Sequence, residues 1–386
     1  MRKSIPRASA MLAGLACALA ATAAAVGADE PTPSMEIGAQ DDAVLLKRDN
    51  YDDALAFRQV TRLGATRIRV GMTWEQAVRR RRGDQVVYDF RPYDRLVTEA
   101  RQRGIKVQIA LLGTPRFDRK GDKWLSYRAP RPERMARFAG DVARHFRGTV
   151  DRYSVWNEPN SETFLAPQRV CRGGSCELTG ARLYRALVDA AYPAIKAADP
   201  AAEVLVGETA PNASVGKVVA PLAFLREAAC AGPDYSPARP CPGLVADGYA
   251  HHPYQFLTAP DRPVAEPPDE IGMSGLPRLN DALVRLGASG AVRTPAGDPL
   301  PVYLTEFGYF RQGSRKKTLT EAQRADYTVR AFQQAATYPW VRQMVYYHFF
   351  ETLPGTRWNS GVVGLDGREL RPYRALRRWG MQRPRR

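Results

Sequence analysis

Short runs rich in Val, Ile, Leu and Tyr alternate along the chain with longer segments that carry Ala and Leu at helical spacing and Arg between them. A period of two residues and a period of 3.6 follow one another repeatedly. The strand-like runs fall at 36–40, 66–73, 106–112, 151–157, 203–208, 247–253, 301–306 and 342–349. The helical ones fall at 51–63, 91–103, 132–147, 179–198, 218–231, 276–287, 320–337 and near 371–379. This alternation predicts βα units around a parallel sheet. Eight such units over about 350 residues predict an α/β fold of the (β/α)8 TIM-barrel type with elaborated loops. Gly64, Gly104, Gly148 and Gly287 fall where left-handed helix caps are expected. Thr320 and Gln323 have the spacing of a capping box. With no internal repeat and no low-complexity linker, one domain over 29–386 is the economical reading, and the Pro-rich stretch 253–277 reads as a long loop after strand six.

In such a barrel the loops that follow the strands gather on one face and carry the chemistry. Glu158, in Trp156-Asn157-Glu158-Pro159, and Glu306, in Leu304-Thr305-Glu306-Phe307, both end strand-like runs and reach that face. Two carboxylates facing one sugar ring suffice to cleave a glycosidic bond, one protonated to help the leaving oxygen depart and the other ionised to attack. The second negative charge is expected to raise the pKa of Glu158, and hydrogen bonds to keep Glu306 ionised. Pro159 predicts an extended backbone at Glu158. At the end of strand six, alternation puts His252 and Tyr254 on one face and assigns His251 to structure. In strand two Ile68 and Val70 face the helices, while Arg67 and Arg69 face the barrel, where Arg67 requires a partner that the sequence does not name. Aromatic residues crowd the rim loops: Trp74, Phe117, Trp124, Tyr127, Phe164, Tyr309, Phe310, Phe349 and Trp358. Of these, Trp74 is placed in the substrate site as a stacking platform. Asp42, Glu75, Glu208 and Glu351 also lie near strand ends and read as polar rim residues.

On these residues the chain resembles the glycoside hydrolase clan A barrels, in particular cellulase-like family 5 and family 39 enzymes, over most of its length. The resemblance implies that Glu158 is the acid/base and Glu306 the nucleophile. It further implies that Asn157 meets the sugar 2-hydroxyl, that Tyr254 donates to the nucleophile, that His252 lines the sugar site and that Arg69 supports Glu306. The expected activity is retaining hydrolysis of a β-linked oligo- or polysaccharide with no cofactor and no metal. A non-catalytic carbohydrate-binding barrel and a transglycosylase are the competing readings. Strand eight departs from the family pattern, which often ends it with a Trp under the sugar; here it reads Tyr346-Tyr347-His348-Phe349.

The N-terminus adds a compartment. Arg2, Lys3 and Arg7 precede an Ala-rich apolar run to Val26, and Val26-Gly27-Ala28 offers a cleavage site, the layout of a signal peptide over 1–28. The run is short for a membrane span, so an exported protein is expected; lipidation at Cys17 is a minor alternative. Cys171, Cys176, Cys230 and Cys241 fit an oxidising compartment. Three pairings exist, and local pairs are favoured because each couple falls within one loop; a metal site is disfavoured by the lack of a nearby histidine. The formal charge of +17 favours anionic neighbours, an acidic glycan among them. Arg runs at 79–82, 315–317 (with Lys) and 383–386 are the only dense ones, and no nucleic-acid motif accompanies them. A monomer is expected.

Overall fold

A computed structural model describes residues 1, 35–49, 51–119, 128–214, 216–263, 267–311, 318–356 and 358–382. The expected export signal, Trp124, Tyr127 and the basic runs at 315–317 and 383–386 lie outside the described residues. From Ser34 to Arg386 the chain is one compact unit. Its eight barrel strands are β1 Glu36–Gln40, β2 Arg67–Thr73, β3 Lys106–Leu112, β4 Arg152–Val155, β5 Glu203–Thr209, β6 Gly248–His251, β7 Val302–Phe307 and β8 Val341–Tyr347. They pair in parallel in sequence order, and β1 closes the ring by pairing with both β8 and β2. The outer helices are α1 Asp53–Leu63, α2 Arg91–Arg101, α3 Pro132–His145, α4 Thr179–Ala198, α5 Pro221–Ala228, α6 Leu276–Ala288, α7 Glu321–Thr337 and α8 Arg371–Gln382. The (β/α)8 barrel expected from hydrophobic periodicity is therefore present. Among the described residues no helix is long and apolar enough to cross a membrane.

Local chemistry accounts for the boundaries. Asp52 caps α1 by accepting from the Leu55 N–H at 2.7 Å, and Gly64 ends it in the left-handed region. Thr320 and Gln323 form the reciprocal capping box. Gly104 and Gly148 adopt positive φ as expected, but Gly287 lies within α6 and Gly290 takes the left-handed turn instead. The run Arg79–Arg82 belongs to an exposed antiparallel hairpin, Val78–Arg82 with Gln85–Tyr88, that periodicity did not predict. Both local disulfides form, Cys171–Cys176 across a second hairpin and Cys230–Cys241 in the loop before β6.

Strand alternation puts an apolar layer between strands and helices and a polar column down the barrel. Ile68, Val70, Val204, Val206, Val302 and Leu304 belong to the helix-facing core. Arg67, fully buried where β2 begins, meets Glu36 at 2.8 Å and Asp151 at 2.7 Å, which supplies its missing partners. Arg152 meets Glu36 at 2.6 Å and Glu203 at 2.5 Å in the same cluster. From there Gln343 donates to Gln108 at 2.8 Å, and Gln108 donates to Ser154 at 2.8 Å and to Glu208 at 3.4 Å. Buried polar groups must be satisfied internally, so this column fixes the interior side chains from one end of the barrel to the other.

Candidate active site

The two glutamates reach the rim by different backbone devices. After β4 ends at Val155, Trp156 and Glu158 take φ of 73° and 39°. The expected extended backbone at Glu158 is thus replaced by a left-handed one, costing on the order of 1–3 kcal/mol at each such residue. Hydrogen bonds impose it: Trp156 N–H donates to Leu111 O at 2.8 Å, Glu158 N–H to Glu208 O at 2.9 Å, and Ser161 N–H to Glu158 O at 2.9 Å. Asn160 pins the turn to the next loop, donating to Ala210 O at 3.0 Å and Val219 O at 2.8 Å. In β7, Leu304 pairs with Met344 but Phe307 with Tyr346, so one extra residue is accommodated between them. Such a bulge re-aims a side chain. Strict alternation would turn Glu306 toward the helices with Val302 and Leu304, whereas the bulge sends both Thr305 and Glu306 inward.

At the rim, Glu306 Oε1 accepts from Arg69 Nη1 at 2.8 Å and its Oε2 from the Tyr254 hydroxyl at 3.0 Å. Arg69 also donates to Asn157 Oδ1 at 2.8 Å, to Gln40 Oε1 at 2.5 Å and to Glu208 Oε2 at 2.9 Å. Glu158 Oε1 accepts from His252 Nδ1 at 3.0 Å, and Glu208 Oε2 accepts from His252 Nε2 at 2.8 Å. Glu158, Glu306 and His252 each place a polar atom within 4.8 Å of the others. Thus one carboxylate is held by a guanidinium and a phenol, and the other by an imidazole.

Burial by itself would depress the pKa of His252, but Glu306, Glu158 and Glu208 around it reverse the effect and lift it to about 10. His252 is therefore an imidazolium at neutral pH and donates through both nitrogens. Burial alone would raise the Glu208 pKa, yet Arg69 and His252 pull it down to about 2. Burial first, and then Glu306, push the Tyr254 pKa well upward, so the phenol keeps its proton and donates. His251 goes the other way, with burial depressing it to about 3. It is a neutral structural residue, hydrogen-bonded to Thr209 at 2.8 Å and to Ile271 O at 2.8 Å. Glu158, His252 and Glu306 have the spacing of metal ligands, and both ring nitrogens of His252 are engaged by carboxylates, Nδ1 by Glu158 and Nε2 by Glu208.

The glutamates open into a cavity of about 460 Å³ whose lining includes Asp42, Arg69, Asn157, Phe164, Tyr347 and Trp358. No protein-family model matches the chain, and no curated protein sequence does. Solved structures do match. A family 39 glycoside hydrolase from Bacteroides cellulosilyticus aligns at 20% identity over 90% of this chain and 63% of its own, with a TM-score of 0.65. A family 39 β-xylosidase from Caulobacter crescentus aligns at 19% identity over 92% of this chain and 72% of its own, at 0.60. A broad-specificity GH5-4 endoglucanase from Clostridium acetobutylicum aligns at 13% identity over 89% and 96%, at 0.56. The barrel is the one these glycoside hydrolases share. This chain spans just under two thirds of the length of the first of them.

Within this barrel Glu158, Glu306, Asn157 and Arg69 line one cavity. Tyr254, expected to donate to Glu306, does so, and His252, expected to line the sugar site, stands with it behind the glutamates, 3% and 0% exposed, its nitrogens turned to carboxylates. Trp74 is a correction. It is 1% exposed and stacks on Phe138 at 4.7 Å with the rings 1° from parallel, away from the cavity lining. It starts a short helix, Trp74–Ala77, that turns its ring back onto α3. Trp74→Ala should therefore act on stability, lowering the unfolding free energy by about 3–5 kcal/mol in a urea titration. A midpoint unchanged from wild type would contradict the packing role. Phe164 and Trp358 supply aromatic faces instead, and Trp358, beside Tyr347, reaches the cavity from the loop after β8. Tyr309, Phe310 and Phe349 are buried packing residues. Glu208, read as a rim residue, is fully buried at the centre of the network.

Proposed function

We propose that this chain is an exported retaining glycoside hydrolase that cleaves β-linked oligo- or polysaccharides through a glycosyl-enzyme intermediate. The observation that carries the reading is the pair Glu158 and Glu306, with carboxylate oxygens within 4.8 Å across one cavity. Retaining glycosidases hold their carboxyl groups about 5–5.5 Å apart, and inverting ones leave room for a water between them. Their surroundings also differ as the roles demand. Arg69 and Tyr254 each donate to one oxygen of Glu306, the nucleophile. Glu158, partly exposed to the cavity, is the acid/base.

In the first step a Glu306 oxygen bonds to the anomeric carbon while the Glu158 proton passes to the departing glycosidic oxygen. In the second, Glu158 takes a proton from water, whose oxygen replaces Glu306 on the same carbon. Asn157, its carbonyl fixed by Arg69, has its amide N–H groups left to donate to a sugar hydroxyl. The names of the barrels of like fold, a β-xylosidase and an endoglucanase, support β-linked substrates. The two disulfides support an oxidising, extracytoplasmic location.

An acidic glycan is the substrate class that Lys47 supports. Lys47 lines both the glutamate cavity and an adjoining one of about 490 Å³, in which Arg91 is paired with Asp89 at 2.5 Å and Arg95 with Asp53 at 2.8 Å. Reducing-end release from matched neutral and uronate-bearing β-linked polysaccharides tests both parts of the reading. Activity on some member of the panel is expected, and none on any would count against hydrolysis. Lys47→Ala should raise KM on the acidic polymer about two- to five-fold at low salt, the size of an exposed charge interaction, and less at high salt. An equal change on a neutral polymer would remove the acidic preference.

A further inference from the structure

Strand five contributes a residue to this centre that neither its position nor the family resemblance assigns. We propose that Glu208 is a positioning residue of the site: its carboxylate clamps Arg69 and His252 together, so that Arg69 faces Glu306 and His252 presents a protonated Nδ1 to Glu158. The inference rests on the glycosidase reading for its catalytic consequence, but its structural half is testable without any substrate.

The geometry is particular to this strand. Val204 and Val206 face the helices, so alternation would send Glu208 the same way. Instead Ala250 pairs with Gly207 and His251 with Thr209, which leaves Glu208 as the extra residue of a bulge. Gly207 and Glu208 take φ of 98° and 51°. A Cβ on Gly207 would lie 2.5 Å from Ala250 O, so only glycine allows the bulge to form this way. The carboxylate that results is 0% exposed and absent from the cavity lining. Its Oε2 accepts from His252 Nε2 at 2.8 Å, Arg69 Nη2 at 2.9 Å and Thr305 Oγ at 2.7 Å, and its Oε1 faces Arg69 Nε and Gln108 Nε2 at 3.4 Å each. Every neighbour donates to it, so an amide in its place would turn N–H groups toward the Arg69 and Gln108 donors and remove a buried charge.

The charged groups facing His252 are Glu158 from the β4 loop, Glu208 from β5, Glu306 from β7 and, beyond Glu208, Arg69 from β2, with Tyr254 on its own segment. Of the three carboxylates, Glu158 must pass through a neutral form in each cycle and Glu306 becomes an ester. Glu208 alone keeps its charge throughout, and so alone can hold the imidazolium at every stage. A neutral His252 would instead compete with the leaving oxygen for the proton of Glu158.

The chain has only four histidines, so selective ¹⁵N-histidine labelling allows the His252 ring to be followed by pH titration. In wild type, both ring nitrogens should stay protonated to well above pH 7. In Glu208→Gln the ring should titrate at least about one unit lower. The kcat should fall on the order of 10- to 100-fold, as when a supporting partner of a reactive group is removed, with a new ionisation in the pH profile and a smaller change in KM. Glu208→Asp, which keeps the charge, should restore the wild-type shape of the profile at reduced kcat, and it carries the test if the Gln variant does not fold. A folded Glu208→Gln variant with unaltered His252 titration and unaltered kcat would overturn the proposal. Should wild type cleave no glycan, the NMR titration still decides the clamp, whereas the activity panel alone decides the glycosidase reading.

Discussion

Glu306→Ala should abolish turnover while leaving a folded protein. Loss of a covalent nucleophile leaves only the binding and electrostatic parts of a site, and costs on the order of 10⁴- to 10⁶-fold in kcat where this has been dissected. The cavity left by the shortened side chain sits beside Arg69 and Tyr254, two donors that would then lack their acceptor. A small anion fits those donors. Azide should therefore restore part of the activity on a β-glycoside with a good leaving group, attacking the anomeric carbon once and yielding the α-glycosyl azide. Full activity in Glu306→Ala would remove this residue from the chemistry, and with it the assignment of Arg69 and Tyr254 as its supports.

For Glu158→Ala the expected loss is smaller and depends on the substrate. General acid–base assistance contributes about 10²–10⁴-fold, and an activated aryl glycoside needs little help in losing its leaving group. Glycosylation of such a substrate should survive, whereas cleavage of a natural glycan should not. The intermediate on Glu306 then waits for a nucleophile that needs no base, and azide added at that stage should give the β-glycosyl azide. The opposite configurations of the two azide products separate the roles of the two glutamates. Equal impairment of activated and natural substrates would place Glu158 outside proton transfer.

Strand ordinals were legible from sequence because each strand's helix-facing residues are aliphatic and each connection carries a helix of contrasting period. Arg67 was legible as inward-facing but not as satisfied, since its partners Glu36 and Asp151 come from β1 and from the residue before β4, and the register brings them together. Bulges are what periodicity cannot see. Glu306, put at the rim by its motif, lines the cavity although alternation alone would have turned it outward, and Glu208, with no motif beside it, was taken for a rim residue. Gly207 was the available signal, as an isolated glycine in a strand pattern marks a bulge. Trp74 was misplaced for a related reason. Position at a strand end says that a side chain is near the rim, but the direction of its ring depends on the helix turn that follows. Trp358 was noted only as one of many loop aromatics, because loop conformation has no period to read; it nevertheless supplies an indole near Tyr347 where strand eight itself has none.

The central claim is double displacement by Glu158 and Glu306, and stereochemistry tests it most directly. Proton NMR of the anomeric signals during the first minutes of hydrolysis of a β-linked substrate, before mutarotation, reports the configuration of the first-formed sugar. Two successive inversions predict the β anomer at the outset, with α growing in later. Initial release of the α anomer would mean a single displacement by water and would contradict the account.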